Sequence, residues 1–197
     1  VWLRLCAPSS PADFAELAEA ALDTGAPLDI TGSPGLWGGY LRGVDRVLSY
    51  VSASGFERAT DSKHAADLVD ADLIATLSCL GRDCVDFYFL PIRGPFKESR
   101  LDGALEALEA ARQEGHIRYP GIACMSTAAD TMAAWRFRDA FDVLLTPDKE
   151  VAELTPLARE RRVGLIGLDT TEDVDASLIS VRSAEGIGSL LLSGIAR

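Results

Sequence analysis

The chain has 197 residues, 48% of them hydrophobic and 25% charged, with a formal net charge of -11. That length and balance predict one folded domain with a proper core and exclude an extended disordered chain. The strong negative charge argues against nucleic acid and against anionic membrane surfaces, whose phosphates would be repelled, and no apolar run reaches the roughly 20 residues of a membrane helix. The first residue is Val1 rather than Met, which points to a trimmed or processed start.

In chain order, short apolar runs predict strands at 2–7, 27–31, 46–52, 84–90, 121–125, 141–146, 163–168 and 189–193. They are rich in Val, Leu, Ile and Phe without clean alternation, as suits strands covered on both faces. Between them, amphipathic spacing predicts helices. The first, 11–24, puts Phe14, Leu17, Ala18, Ala21 and Leu22 on one face and stops at Gly25. Helices at 64–80 and 101–114 close on Gly81 and Gly115, and 127–139, 149–162 and 171–184 follow, with a short helical segment near Trp37–Val44. Alternating strands and helices predict βα units around a parallel sheet. In the mixed-charge loop 93–100, Ser99 is read as the cap of the next helix, and Arg93, Lys97 and Arg100 could meet an anion but equally make a solvated connection.

The four cysteines, Cys6, Cys79, Cys84 and Cys124, form no CxxC pair, and the two histidines, His64 and His116, have no ligand-spaced neighbour. Reduced, mostly buried thiols in a cytoplasmic protein are expected, with no metal site. Gly32, Gly35, Gly38 and Gly39 do not make a phosphate-binding signature.

Three segments resemble aldo-keto reductases: AALDTGAPLDIT at 20–31, LSCLGRDCVDFYFL at 77–90, and ALEALEAARQEGHIRYPGIACM at 104–125. The resemblance implies an α/β fold, a compact (β/α)8 TIM barrel of aldo-keto reductase type spanning 1–197 as a single domain. At 197 residues it is shorter than the usual roughly 250. With 189–193 as the eighth strand, the C-terminal closing helix is lacking, unless the chain natively continues into one. Apolar flanks near Leu17, Leu22, Val181 and Ile187 would then be uncovered, and a partner is expected to cover them.

The family's chemistry uses an Asp, Tyr, Lys and His at the barrel mouth, the tyrosine acting as a tuned proton donor. By resemblance Asp29 stands at the aspartate position, while Pro34, Ser52 and Pro91 stand where tyrosine, lysine and histidine are expected. A phenol of ordinary pKa near 10 needs a cation beside it to act as an acid near neutrality, and proline has no proton to give. At the cofactor positions the resemblance places Ala123, Cys124, Leu145 and Leu168, and it puts the basic loop for the cofactor's 2′-phosphate after the eighth strand, beyond Arg197. Asp29 is therefore read as a relic, and Tyr40 and Tyr50 as packing aromatics. Cys124, with no base in sight, is read as a small core residue. The expectation is a pseudoenzyme without cofactor, serving as a structural or regulatory subunit with protein partners in a cytoplasmic hetero-oligomeric assembly. The alternatives are an NADPH-dependent reductase with displaced residues, and an isomerase or lyase using Asp29 and Cys124.

Overall fold

The computed structural model describes residues 1–8 and 10–192. Eight parallel strands close into a barrel in sequence order, β1 (Trp2–Leu5), β2 (Leu28–Asp29), β3 (Leu48–Val51), β4 (Val85–Ile92), β5 (Ile117–Cys124), β6 (Val143–Pro147), β7 (Gly164–Leu168) and β8 (Ala176–Val181), with β8 pairing back onto β1. Helices α1 (Pro11–Asp23), α2 (Pro34–Leu41), α3 (Ser62–Leu80), α4 (Glu98–Gln113), α5 (Ala128–Phe137), α6 (Asp148–Arg161) and α7 (Ala184–Leu192) form the outer layer. This is the expected (β/α)8 barrel.

Two kinds of core follow from the alternation of side chains along each strand. One cluster joins strand and helix residues, for example Leu90, Ile122 and Leu144 with Leu101, Leu105 and Leu154. The other, Val51, Phe89, Ala123, Val143, Leu145, Ile166 and Leu178, holds strand residues alone and is the barrel interior. Gly121 belongs here for want of space: a Cβ on it would lie 2.4 Å from the Phe89 ring and 2.8 Å from Val143. Helix ends follow local chemistry where a cap exists. The Asp61 carboxylate accepts the His64 N–H at 2.8 Å to open α3, and Gly81, at φ 60°, closes it in the left-handed conformation.

The end of the barrel differs from the expectation. Residues 171–184 are not a helix; they hold β8, and the run at 189–193 is not the eighth strand, since 189–192 lie in α7 and Ser193 lies outside the described residues. The missing helix is the one between β7 and β8, not the one after β8. Helix α7 packs on α1 and β8. Leu17, Val181 and Ile187 are consequently buried, so the flanks expected to await a partner are covered by the chain itself. Between β7 and β8 the connection folds back as a loop, and Gly167 makes room for it: a Cβ there would sit 2.4 Å from Thr170 and 2.9 Å from Val174. A second, smaller correction concerns α4, which starts at Glu98 after Lys97, so Ser99 lies inside the helix and caps nothing.

Candidate site at the barrel mouth

In this fold, reacting groups sit at the C-terminal ends of the strands. Asp29, at the end of β2, is fully buried there. Its Oδ1 accepts Arg4 Nε at 2.8 Å and the Thr31 N–H at 3.2 Å; its Oδ2 accepts Ser49 Oγ at 2.7 Å and Thr31 Oγ1 at 3.1 Å. Thr31 Oγ1 in turn accepts the Val51 N–H at 2.8 Å, tying β2 to β3. Arg4 is a side chain the sequence reading passed over. The signal was available, an arginine in the middle of the apolar strand Trp2–Leu5. Its terminal Nη2 is buried and makes no hydrogen bond within the protein.

The remaining expected positions fall on both sides of the sheet. Ala123 and Leu145 are buried in the barrel interior, Leu168 packs against them, and Pro91 pairs with Ala123 in register. Pro34 opens α2 just past β2. Ser52 and Cys124 are elsewhere. The Ser52 hydroxyl faces α3, donating to Asp72 Oδ2 at 3.1 Å and accepting from Tyr88 at 3.0 Å. On β3 it is Val51 that faces the barrel at this height. Cys124 packs with the helix-facing core, and burial raises its thiol pKa, so neither its direction nor its ionisation suits a nucleophile at the mouth.

No phenol reaches Asp29 or Arg4. Tyr40 sits on α2, stacked 6.2 Å from Phe14 and 40% exposed. Tyr50 and Tyr88 point outward to Asp72 at 3.3 and 2.7 Å. Burial first, and the Asp72 charge second, push Tyr50 up to about 12 and Tyr88 well above the usual 10. These shifts run opposite to those of a catalytic phenol. Tyr119 stacks on Phe87 near the start of β5. Among the described residues no group of three or more His, Cys, Asp or Glu side chains is placed to hold a metal ion, and no described helix is long and apolar enough to cross a membrane.

The placement of β8 also moves the loop that follows it. The expectation put this loop beyond Arg197. It is Arg182–Ser183, at the start of α7, where Ser183 Oγ accepts the Gly186 N–H at 3.2 Å.

Fold and site together define a closed parallel βα barrel whose mouth is filled by an ion pair and apolar side chains. The more particular likeness comes from solved structures. An aldo-keto reductase from Bacillus halodurans in its holo form is 17% identical, with 95% of this chain covering 82% of that one at a TM-score of 0.72. A thermostable aldo-keto reductase in complex with epalrestat is 15% identical over 98% of this chain and 89% of the other, TM-score 0.75. A Pseudomonas aeruginosa protein described as a putative aldo-keto reductase is 14% identical over 98% and 90%, TM-score 0.74. The chain thus has the aldo-keto reductase fold. No family model matches the sequence, and no curated protein matches it.

Proposed function

We propose that residues 1–197 act as a single barrel domain of aldo-keto reductase type that has left carbonyl reduction behind and serves as a structural or regulatory subunit of a cytoplasmic assembly. The observation that carries this is the engagement of Asp29. In a reductase of this fold the aspartate would hold a lysine beside a tyrosine. In this chain its two oxygens are taken by Arg4, Ser49 and Thr31, with no phenol near. A guanidinium fixed against a carboxylate is a structural element of the barrel wall, and Asp29 is on this reading a relic. The apolar Ala123, Leu145 and Leu168 leave no donors for a carboxamide, which supports the absence of a bound nicotinamide.

One observation favours the second reading, an NADPH-dependent reductase working through shifted residues. The segment Arg182–Ser183 offers a cation and a helix start where the family's 2′-phosphate loop would stand. Titrating the purified chain with NADPH while following tryptophan fluorescence decides between them. The proposal expects no saturable quenching up to millimolar cofactor. Saturation in the micromolar range that Arg182→Glu abolishes would establish the second reading.

A further inference from the structure

Among the described residues seven α-helices cover the outer layer of an eight-stranded barrel, and the connection left without one runs between β7 and β8. Two adjoining cavities, of about 520 and 440 Å³, occupy that place and share Ile179 and Leu190. They run between the β7–β8 loop and α7. The floor is apolar: Ile179 is half-buried on the outer side of β8. The α7 wall presents Gly186 and Leu190, one helical turn apart, where the glycine leaves space for a close approach. Leu190 also borders a separate small cavity, which Ile187 and Leu191 line with Leu3 of β1.

Its rim is charged on one side. Asp148, Asp169 and Glu172 line it, and Asp173 is exposed beside them. Asp169 receives the Ser180 N–H and hydroxyl at 2.7 and 3.0 Å, but no cation among the described residues pairs with any of these four carboxylates. Among the surface acids that do form ion pairs are Asp102 with Arg138, Asp139 with Arg161 and Asp175 with Arg159. Arg182, at the far end, is the one basic residue lining the groove among the described residues.

We propose that this groove is a docking site for one amphipathic α-helix of a partner protein, its apolar stripe on Ile179 and Leu190 and its flank of Lys or Arg facing Asp148, Asp169 and Glu172. The occupant follows from the shape and the charge. A helix is the element the described barrel lacks at this position, helix-in-groove recognition needs an apolar floor of this kind, and four carboxylates that no described cation pairs select a basic flank. The proposal rests on the subunit reading above and gives that subunit its contact surface and the chemistry of its partner.

The test uses the whole chain and a fluorescein-labelled, Lys/Leu amphipathic peptide of about 15 residues, long enough to form a helix on the surface. Fluorescence anisotropy is expected to show saturable one-to-one binding. Ile179→Lys should weaken it roughly tenfold or more, and Glu172→Lys with Asp173→Lys severalfold, with the salt dependence reduced in the latter. A scrambled peptide of the same composition, and a Glu/Leu peptide of the same pattern, should bind far more weakly. Equal binding of the scrambled peptide, or indifference to Ile179→Lys, would overturn the proposal. So would a dimer in light scattering that Ile179→Lys dissociates, since the occupant would then be a second copy. If Ile179→Lys melts the fold, Ile179→Ser and the exposed charge pair carry the same comparison. The NADPH titration reads the other claim: cofactor binding with intact peptide binding removes the non-reducing reading and leaves the groove, and the converse result removes the groove alone.

Discussion

Two aspartates, one on each side of the same sheet, receive opposite treatment. Asp29 lies inside the barrel, fully buried, and is balanced by a guanidinium at 2.8 Å. Asp72 lies outside, on α3, and is balanced by neutral hydroxyls alone, those of Tyr88, Ser52 and Tyr50. The difference teaches how the sheet divides its work. A carboxylate sealed from water needs a countercharge, because the cost of burying a lone ion is several kcal/mol. A half-buried carboxylate needs only donors, and phenols serve because holding them against a charge keeps them protonated. The interior charge joins β1, β2 and β3 through Arg4, Thr31 and Ser49.

The comparison breaks most visibly at the interior pair. Arg4→Met or Asp29→Leu should each cost about 3–5 kcal/mol by stranding a buried charge, while the double variant should recover most of the loss. Urea unfolding of the four proteins measures this, and additive losses would show that the pair is not a unit. Asp72→Ala should cost less, on the order of 1.5–3 kcal/mol, as three hydroxyls lose a charged acceptor, all of them belonging to residues no more than 2% exposed.

Alkali sharpens the contrast further. The phenols of Tyr50 and Tyr88 are raised in the folded chain, so the protonated form is the one folding favours. Their contribution to stability is complete below the ordinary phenol value near 10 and is lost as pH rises through the raised values, about 12 for Tyr50 and well above 10 for Tyr88. Ultraviolet titration should therefore show Tyr50 and Tyr88 ionising well above the ordinary phenol value, together with unfolding. Ionisation of Tyr50 and Tyr88 near the ordinary phenol value with the fold intact would contradict the Asp72 network. The smallest expected effect concerns the thiols: with a disulfide reagent, exposed Cys79 should react quickly and Cys124, buried with a raised pKa, only on unfolding.

The barrel was legible because its middle is regular. The segments around β4 and β5 carry long apolar runs flanked by helices that end on Gly81 and Gly115, and the strand and helix periods there leave little choice. The end was not. In β8 the serines Ser177 and Ser180 interrupt the apolar run, so the strand resembles part of a polar helix, whereas Leu190, Leu191 and Leu192 in α7 form an unbroken run that imitates a buried strand. The spacing Ile187, Leu190, Leu191 is the helical signal that distinguishes them. At the site, Asp29 could be singled out from its neighbours in sequence. Its partner Arg4 is 25 residues away and meets it only through strand pairing, which no local pattern displays. Ser52 and Cys124 face the helices while Val51 and Ala123 face the barrel interior, a distinction of one residue that a strand period of two makes consequential.

The central claim is that this barrel transfers no hydride. Incubating the chain at stoichiometric concentration with NADPH deuterated in turn at each face of C4 and a small aldehyde, then assaying the alcohol by mass spectrometry, detects even a few turnovers. The account predicts no deuterated alcohol above a protein-free control for either label. Deuterated alcohol that appears with one labelled face only, and disappears in Asp29→Asn, would contradict it.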